Sequence, residues 1–141
     1  MKRLKVKHKQ AIRNVANAKY NSHVDPLLAK LELLNFEDTL KCHIADFVKR
    51  MFLDKTPPSF KQIFKPMSSH RVVKLANQRP KIKALELFPN TIFPKIWNEL
   101  DNSVRLSNSC NTRKKIIKEK SLKIYKDFHC DKTRCYVCKK L

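Results

Sequence analysis

Not one glycine occurs in the 141 residues of this chain, where ordinary usage is roughly 7 %. Glycine usually supplies the positive-φ positions that close helices and tight turns, so Asn and Ser are expected to serve instead, at Asn21-Ser22, Asn35, Asn102-Ser103 and Asn108. A glycine-rich phosphate loop is excluded outright. Acidic residues are scarce as well, 12 against 32 Lys and Arg. No stretch approaches the roughly 18 consecutive apolar residues that a membrane-spanning helix needs. The basic start Met1-Lys2-Arg3-Leu4-Lys5 has no apolar segment behind it, so a secretory leader is not expected. Five cysteines without such a leader point to a reducing, intracellular setting (nucleus or cytoplasm), and to thiols or metal rather than disulfides.

What is present is charge, +20 in all. A charge of that size repels itself, and an anionic partner is expected. Its distribution is uneven. Residues 1–20 carry seven Lys/Arg and no acid, residues 55–85 eight and no acid, and residues 111–141 eleven against three acids. Residues 21–54 carry four basic and six acidic residues. Three basic blocks around a near-neutral one read as surfaces turned to the phosphates of RNA or DNA rather than as uniform solubilisation, with a membrane surface or a poorly folded fragment as the alternative readings of the charge pattern. No membrane partner is expected. The candidate contacts are Lys2, Arg3, Lys9 and Arg13 in the first block, Arg71 and Lys74 in the second, and Arg113, Lys114, Lys115 and Lys118 in the third.

Periodicity predicts a mostly α fold, a small bundle of about four or five helices with an irregular central segment and a basic C-terminal tail. Residues 3–19 read as an amphipathic helix with Leu4, His8, Ala11, Ile12 and Val15 on one face. Asp25-Pro26 reads as N-cap and first helical residue of a short second helix. Phe36, Leu40, Ile44, Phe47, Val48 and Met51 fall within about a third of a turn and predict a helix over 36–52. On it His43 joins the apolar face as a core histidine, and Cys42 the polar face as a reduced thiol. Pro57-Pro58 ends that unit, and Ser59–Phe64 reads as a turn or two of helix. Residues 65–89 read as a loop or a short strand pair, and periodicity does not choose between them. Trp97 anchors a short helix over 94–100, a Ser/Asn-rich turn follows, and residues 112–128 form a very basic helix with a thin seam of Ile117, Ile124 and Phe128. That helix reads either as a solvated tail or as a phosphate-contacting one. Two regions are expected, 1–110 and 111–141.

Taken in order, several landmarks form a pattern. They are Ala11-Ile12-Arg13, Tyr20, His23, Pro26-Leu27, Leu31 to Leu34, Pro58-Ser59-Phe60, Ile63-Phe64, His70-Arg71, Trp97-Asn98 with Leu100, and Lys114-Lys115 to Leu122-Lys123. Their order resembles the thumb-like region that follows the polymerase core in non-LTR (LINE-type, jockey-like) retrotransposon reverse transcriptases. Asp101 stands where that family has the proline of its Trp-Asn-x-Leu-Pro box, and no Thr precedes Arg71. The resemblance implies a C-terminal piece of a protein with endonuclease and RNA-directed DNA polymerase activities, and a missing polymerase core as partner. The residues themselves predict no catalysis. Two-metal phosphoryl transfer needs clustered carboxylates, and the one acidic doublet, Glu37-Asp38, opens a helix. The alternatives are a small basic zinc-binding protein of ribonucleoprotein type and a functionless remnant.

The tail carries the remaining signal. Cys130, Cys135 and Cys138 form a C-x4-C-x2-C cluster with His129 beside it. Three thiols and an imidazole match the four ligands that zinc takes in a tetrahedron. Neighbouring residues are awkward to aim at one ion, so Cys110 or a distant histidine are the other candidates for the fourth position. Against zinc stands a cluster of reduced thiols that hold no metal. A redox Cys-x2-Cys lacks the βαβ context it would need.

Overall fold

The computed structural model describes residues 2–67, 72–77, 88–128 and 130, Lys2 by its backbone. The chain is mostly helical: α1 Lys2–Val15, α2 Val24–Leu31, α3 Phe36–Phe52, α4 Ser59–Ile63, α5 Pro89–Glu99, α6 Asn102–Leu106 and α7 Cys110–Lys126. Two-residue strands β1 (Pro66–Met67) and β2 (Lys74–Leu75) pair antiparallel, with Pro66 opposite Leu75. The central segment therefore contains the strand pair, and the Ser/Asn-rich turn contains a helix, α6, that its composition did not announce.

Contacts divide the chain into two compact units, Met1–Thr39 with Lys118–Leu141, and Leu40–Ile117. In the first, Ile12 of α1, Val24 and Leu28 of α2 and Tyr125 of α7 form one core, with Leu27, Leu31 and Leu122 packed against it. The phenol of Tyr125 donates to the Asp38 carboxylate and accepts from the Asn35 N–H at 3.2 Å. Asn35 in turn caps α3, its side-chain oxygen accepting the Asp38 N–H at 2.8 Å. Burial, then the bond to Asp38, raises the Tyr125 pKa well above the phenol's ordinary value.

The second unit is built on aromatic rings. Phe47 of α3 meets Phe60, Phe64 and Phe93 edge-on at 5.2, 5.9 and 5.4 Å, and Phe64 stacks on Phe93 at 5.6 Å. Trp97, only 1 % exposed, packs against Phe52 at 5.8 Å. It serves the core, as its size predicts. Its indole N–H donates to the Val73 carbonyl at 2.9 Å. The side-chain amide of Asn98 bonds both backbone groups of Leu75 and so holds β2 against α5.

Several local expectations are corrected. His23, in extended backbone, precedes α2, so Asp25 and Pro26 lie inside its first turn. First-turn N–H groups have no helical partner, so proline costs no bond there, and Asp25 complements the helix dipole. The positive-φ residues among those described are Asn17, Glu32 and Asp54. Each follows a helix, and the next N–H reaches back five residues: Ala18 to Arg13, Leu33 to Leu28, Lys55 to Arg50. These are Schellman-type closures made without glycine.

Helix faces are rotated from their predicted settings. Leu4 and Val15 of α1 are exposed while Ile12 is buried. On α3, Asp38, Cys42 and Ala45 are buried and His43 is exposed. The buried arc there spans about half the helix, because carboxylates on its flank are also taken inward. On α7 the buried ladder is Arg113, Ile117, Ser121 and Tyr125, spaced by four, and Ile124 is 70 % exposed.

Candidate nucleic-acid interface

Side chains for the interface come from α1 and α7. In the first unit, Arg3, Lys7 and Lys9 stand exposed on α1. Arg3 and Lys7 are four apart and share one stripe with Gln10 and Asn14, opposite Ile12. On α7 the same unit exposes Lys123 and Lys126. Among the described residues none of these five cations has an ion-pair partner. Solvated cationic groups of this kind approach phosphates at little desolvation cost and displace condensed counterions.

Other basic residues are already engaged. Lys5 pairs with Glu37, and Lys118 with Glu32 at 3.5 Å. Arg13 donates to the Ser22 carbonyl at 2.9 Å and lies 5.8 Å from the Tyr20 ring centre, which fixes the turn after α1. Lys74 is half-buried in β2. Arg71 and the side chain of Lys2 lie outside the described residues. Lys114 and Lys115, in the second unit, are exposed.

Arg113 is a correction. Only 4 % exposed, it donates to Asp46 at 2.6 Å and to the Ser107 carbonyl at 3.0 Å. Burial works to raise the Asp46 pKa, but bonds from Cys110 and Arg113 and the charges of Arg50 and Arg113 outweigh it, and the net shift is downward. Burial and the charge of Arg113 lower the Lys49 pKa. Arg113 thus organises the second unit and offers no donor to a phosphate. Sequence spacing placed it with its basic neighbours because the carboxylate it serves is 67 residues away.

On the Ile12 side of α1 lies a cavity of about 180 Å³ lined by Lys5, His8, Lys9, Val24, Asp25, Leu28, Asn35, Phe36 and Glu37. Buried Val24 and Leu28 give it an apolar floor, and the rings of His8 and Phe36 meet edge-on at 6.3 Å. Periodicity assigned His8 and Phe36 only to helix faces, and no local signal joined them.

Among the described residues no group of three or more His, Cys, Asp or Glu side chains gathers to hold a metal, and no helix is long and apolar enough to cross a membrane. His129, Cys135 and Cys138 lie outside the described residues. Cys130 is described, and its sulfur stands 3.1 Å from Nε2 of His23. Comparison with protein-family models, curated proteins and solved structures returned no match to this chain.

Proposed function

We propose that the chain is a non-catalytic nucleic-acid-binding fragment resembling the C-terminal part of a retrotransposon RNA-directed DNA polymerase. One observation carries the reading: in a chain of charge +20, Arg3, Lys7, Lys9, Lys123 and Lys126 are exposed with no ion pair among the described residues. The order of landmarks along the sequence supports the retroelement relationship, whose parent proteins carry out reverse transcription. RNA or DNA is the partner, bound through its backbone with little base selectivity, and the polymerase core would be a second, protein partner.

The test is binding to single-stranded RNA and DNA across a salt series. Neutralising about six phosphates of a single strand lowers affinity roughly 300-fold between 50 and 200 mM salt. Each of Lys123→Gln and Lys126→Gln reduces the logarithmic salt slope by about one if its lysine touches a phosphate. A flat salt profile would sink the reading. Template-dependent nucleotide incorporation by the purified chain would overturn its non-catalytic part.

A further inference from the structure

We propose that the cavity on the Ile12 side of α1 seats one unpaired pyrimidine base of a bound strand, and that it favours cytosine. The proposal rests on the nucleic-acid reading above and adds to it one position at which a base, not only a phosphate, is held. A cavity of about 150 Å³ suffices for one benzene ring. The 180 Å³ here has room for a six-membered ring with its exocyclic groups. Bases inside a duplex are stacked and paired, so a single strand delivers one most readily.

The lining suits a base rather than an anion. Lys5 and Lys9 are matched by Asp25 and Glu37, and Lys5 is already paired with Glu37. Two cations and two carboxylates cancel, so the interior has no net attraction for a phosphate. Buried Val24 and Leu28 form the floor, and the rings of His8 and Phe36, edge-on at 6.3 Å, form a wall. Apolar and aromatic carbon of this kind takes the face of a flat heterocycle. Lys9 is exposed and has no ion pair among the described residues, which leaves it for the phosphate of the same nucleotide.

Two polar groups read the edge of the base. Asn35 is held from two sides: its backbone N–H donates to the Tyr125 hydroxyl at 3.2 Å, and its side-chain oxygen accepts the Asp38 N–H at 2.8 Å. With that oxygen engaged, the amide nitrogen remains to donate. Asp25, half-buried in the first turn of α2, has no ion-pair partner among the described residues, and its carboxylate accepts. A donor and an acceptor in one lining match cytosine, whose exocyclic amine donates and whose ring carbonyl accepts. Uracil and thymine carry a carbonyl where cytosine has its amine, and would set an acceptor against Asp25. An apolar side chain of a protein partner fits worse. It would strip water from Asp25 and Asn35 and return no hydrogen bond.

The experiment measures binding of the full chain to single-stranded oligodeoxycytidylate and oligodeoxyuridylate of equal length, and to an abasic strand with the same number of phosphates, across a salt series at neutral pH. The wild-type chain should bind oligodeoxycytidylate about tenfold more tightly than oligodeoxyuridylate. The salt slopes should be equal, because the two strands differ in neutral contacts alone. Asp25→Asn should erase the preference, since an amide both donates and accepts. His8→Ala should weaken oligodeoxycytidylate binding about tenfold and leave the abasic strand unaffected. Circular dichroism verifies the helices, and if His8→Ala does not fold, the isosteric Asp25→Asn decides. Salt-dependent binding equal for the two bases, a preference that survives in Asp25→Asn, or an equal loss on the abasic strand in His8→Ala would overturn the cavity assignment and leave the nucleic-acid reading standing. A flat salt profile for every strand would sink that reading, and the cavity assignment with it.

Discussion

Asn98 closes both backbone hydrogen bonds of Leu75: its amide nitrogen donates to the Leu75 carbonyl at 2.8 Å, and its oxygen accepts the Leu75 N–H at 3.0 Å. A side-chain amide thus stands where a neighbouring strand would be. Leu75 is fully buried, so removing the amide leaves two polar backbone groups without partners. Asn98→Ala should cost about 2–3 kcal/mol in urea unfolding. Asn98→Asp should also destabilise, because a carboxylate cannot donate to the carbonyl. A change within about 0.5 kcal/mol, the range of a neutral surface substitution, would show the clasp to be unimportant.

Trp97 separates packing from hydrogen bonding. Trp97→Phe keeps an aromatic ring but loses the bond to Val73, and should cost about 1–2 kcal/mol beyond any repacking. Trp97→Ala should cost about 3–5 kcal/mol. Native emission should be blue-shifted, and a red, freely quenched spectrum in folded protein would place the indole in water.

Arg113 and Asp46 make a pH-dependent contribution. The Asp46 pKa is lowered in the folded state, so its stabilisation is fully present above the ordinary carboxylate pKa and is lost as pH falls through the lowered one. Asp46→Asn should flatten that acid limb. Arg113→Ala should destabilise by about 1–3 kcal/mol, since it removes the charged hydrogen bonds to Asp46 and Ser107, while Asp46 keeps its ion pair with Arg50 at 2.8 Å. It should leave the salt slope of nucleic-acid binding unchanged under folding conditions. A slope reduced by about one would return Arg113 to the phosphate surface.

Tyr125 gives the opposite limb. Its pKa is raised, so the stabilisation is present below the unfolded phenol value of about 10 and falls as pH climbs past it. Tyr125→Phe should lose about 1–2 kcal/mol at neutral pH and lack the alkaline decline of this group. Unfolding curves at pH 7 and pH 11 measure both effects.

Glu32 carries a left-handed backbone, φ 51°, at the end of α2. That conformation costs a residue with a Cβ roughly 1–2 kcal/mol. Glu32→Gly should therefore stabilise the chain by up to about 1 kcal/mol, after the extra chain entropy of glycine is subtracted. The exposed pairing with Lys118 that it removes is worth little. A fall in the unfolding midpoint would mean that the closure of α2 carries no strain.

The bounds of α3 were readable because six apolar residues recur at helical spacing, acids open the helix and bases close it. The burial of Trp97 followed from its size. By contrast, the turn chemistry around Glu32 was not readable, since Glu does not advertise a left-handed backbone, and Asp54 hints at one only weakly. The candidate interface draws on the first and third of the three basic blocks, which were legible, but its individual contacts were not. Lys9 and Arg113 look equally cationic in sequence, and only Arg113 has a carboxylate waiting on α3.

By itself the sequence determined the helical class, the net charge and the want of a glycine phosphate loop, because these depend on composition and on periodicities only a few residues long. Tertiary packing decided which side of each helix is buried, and so which cations remain for an anion. It also brought His23 to Cys130, and Asn98 to Leu75. Such pairings span tens of residues, and their free energy appears only when the chain has closed the intervening loops.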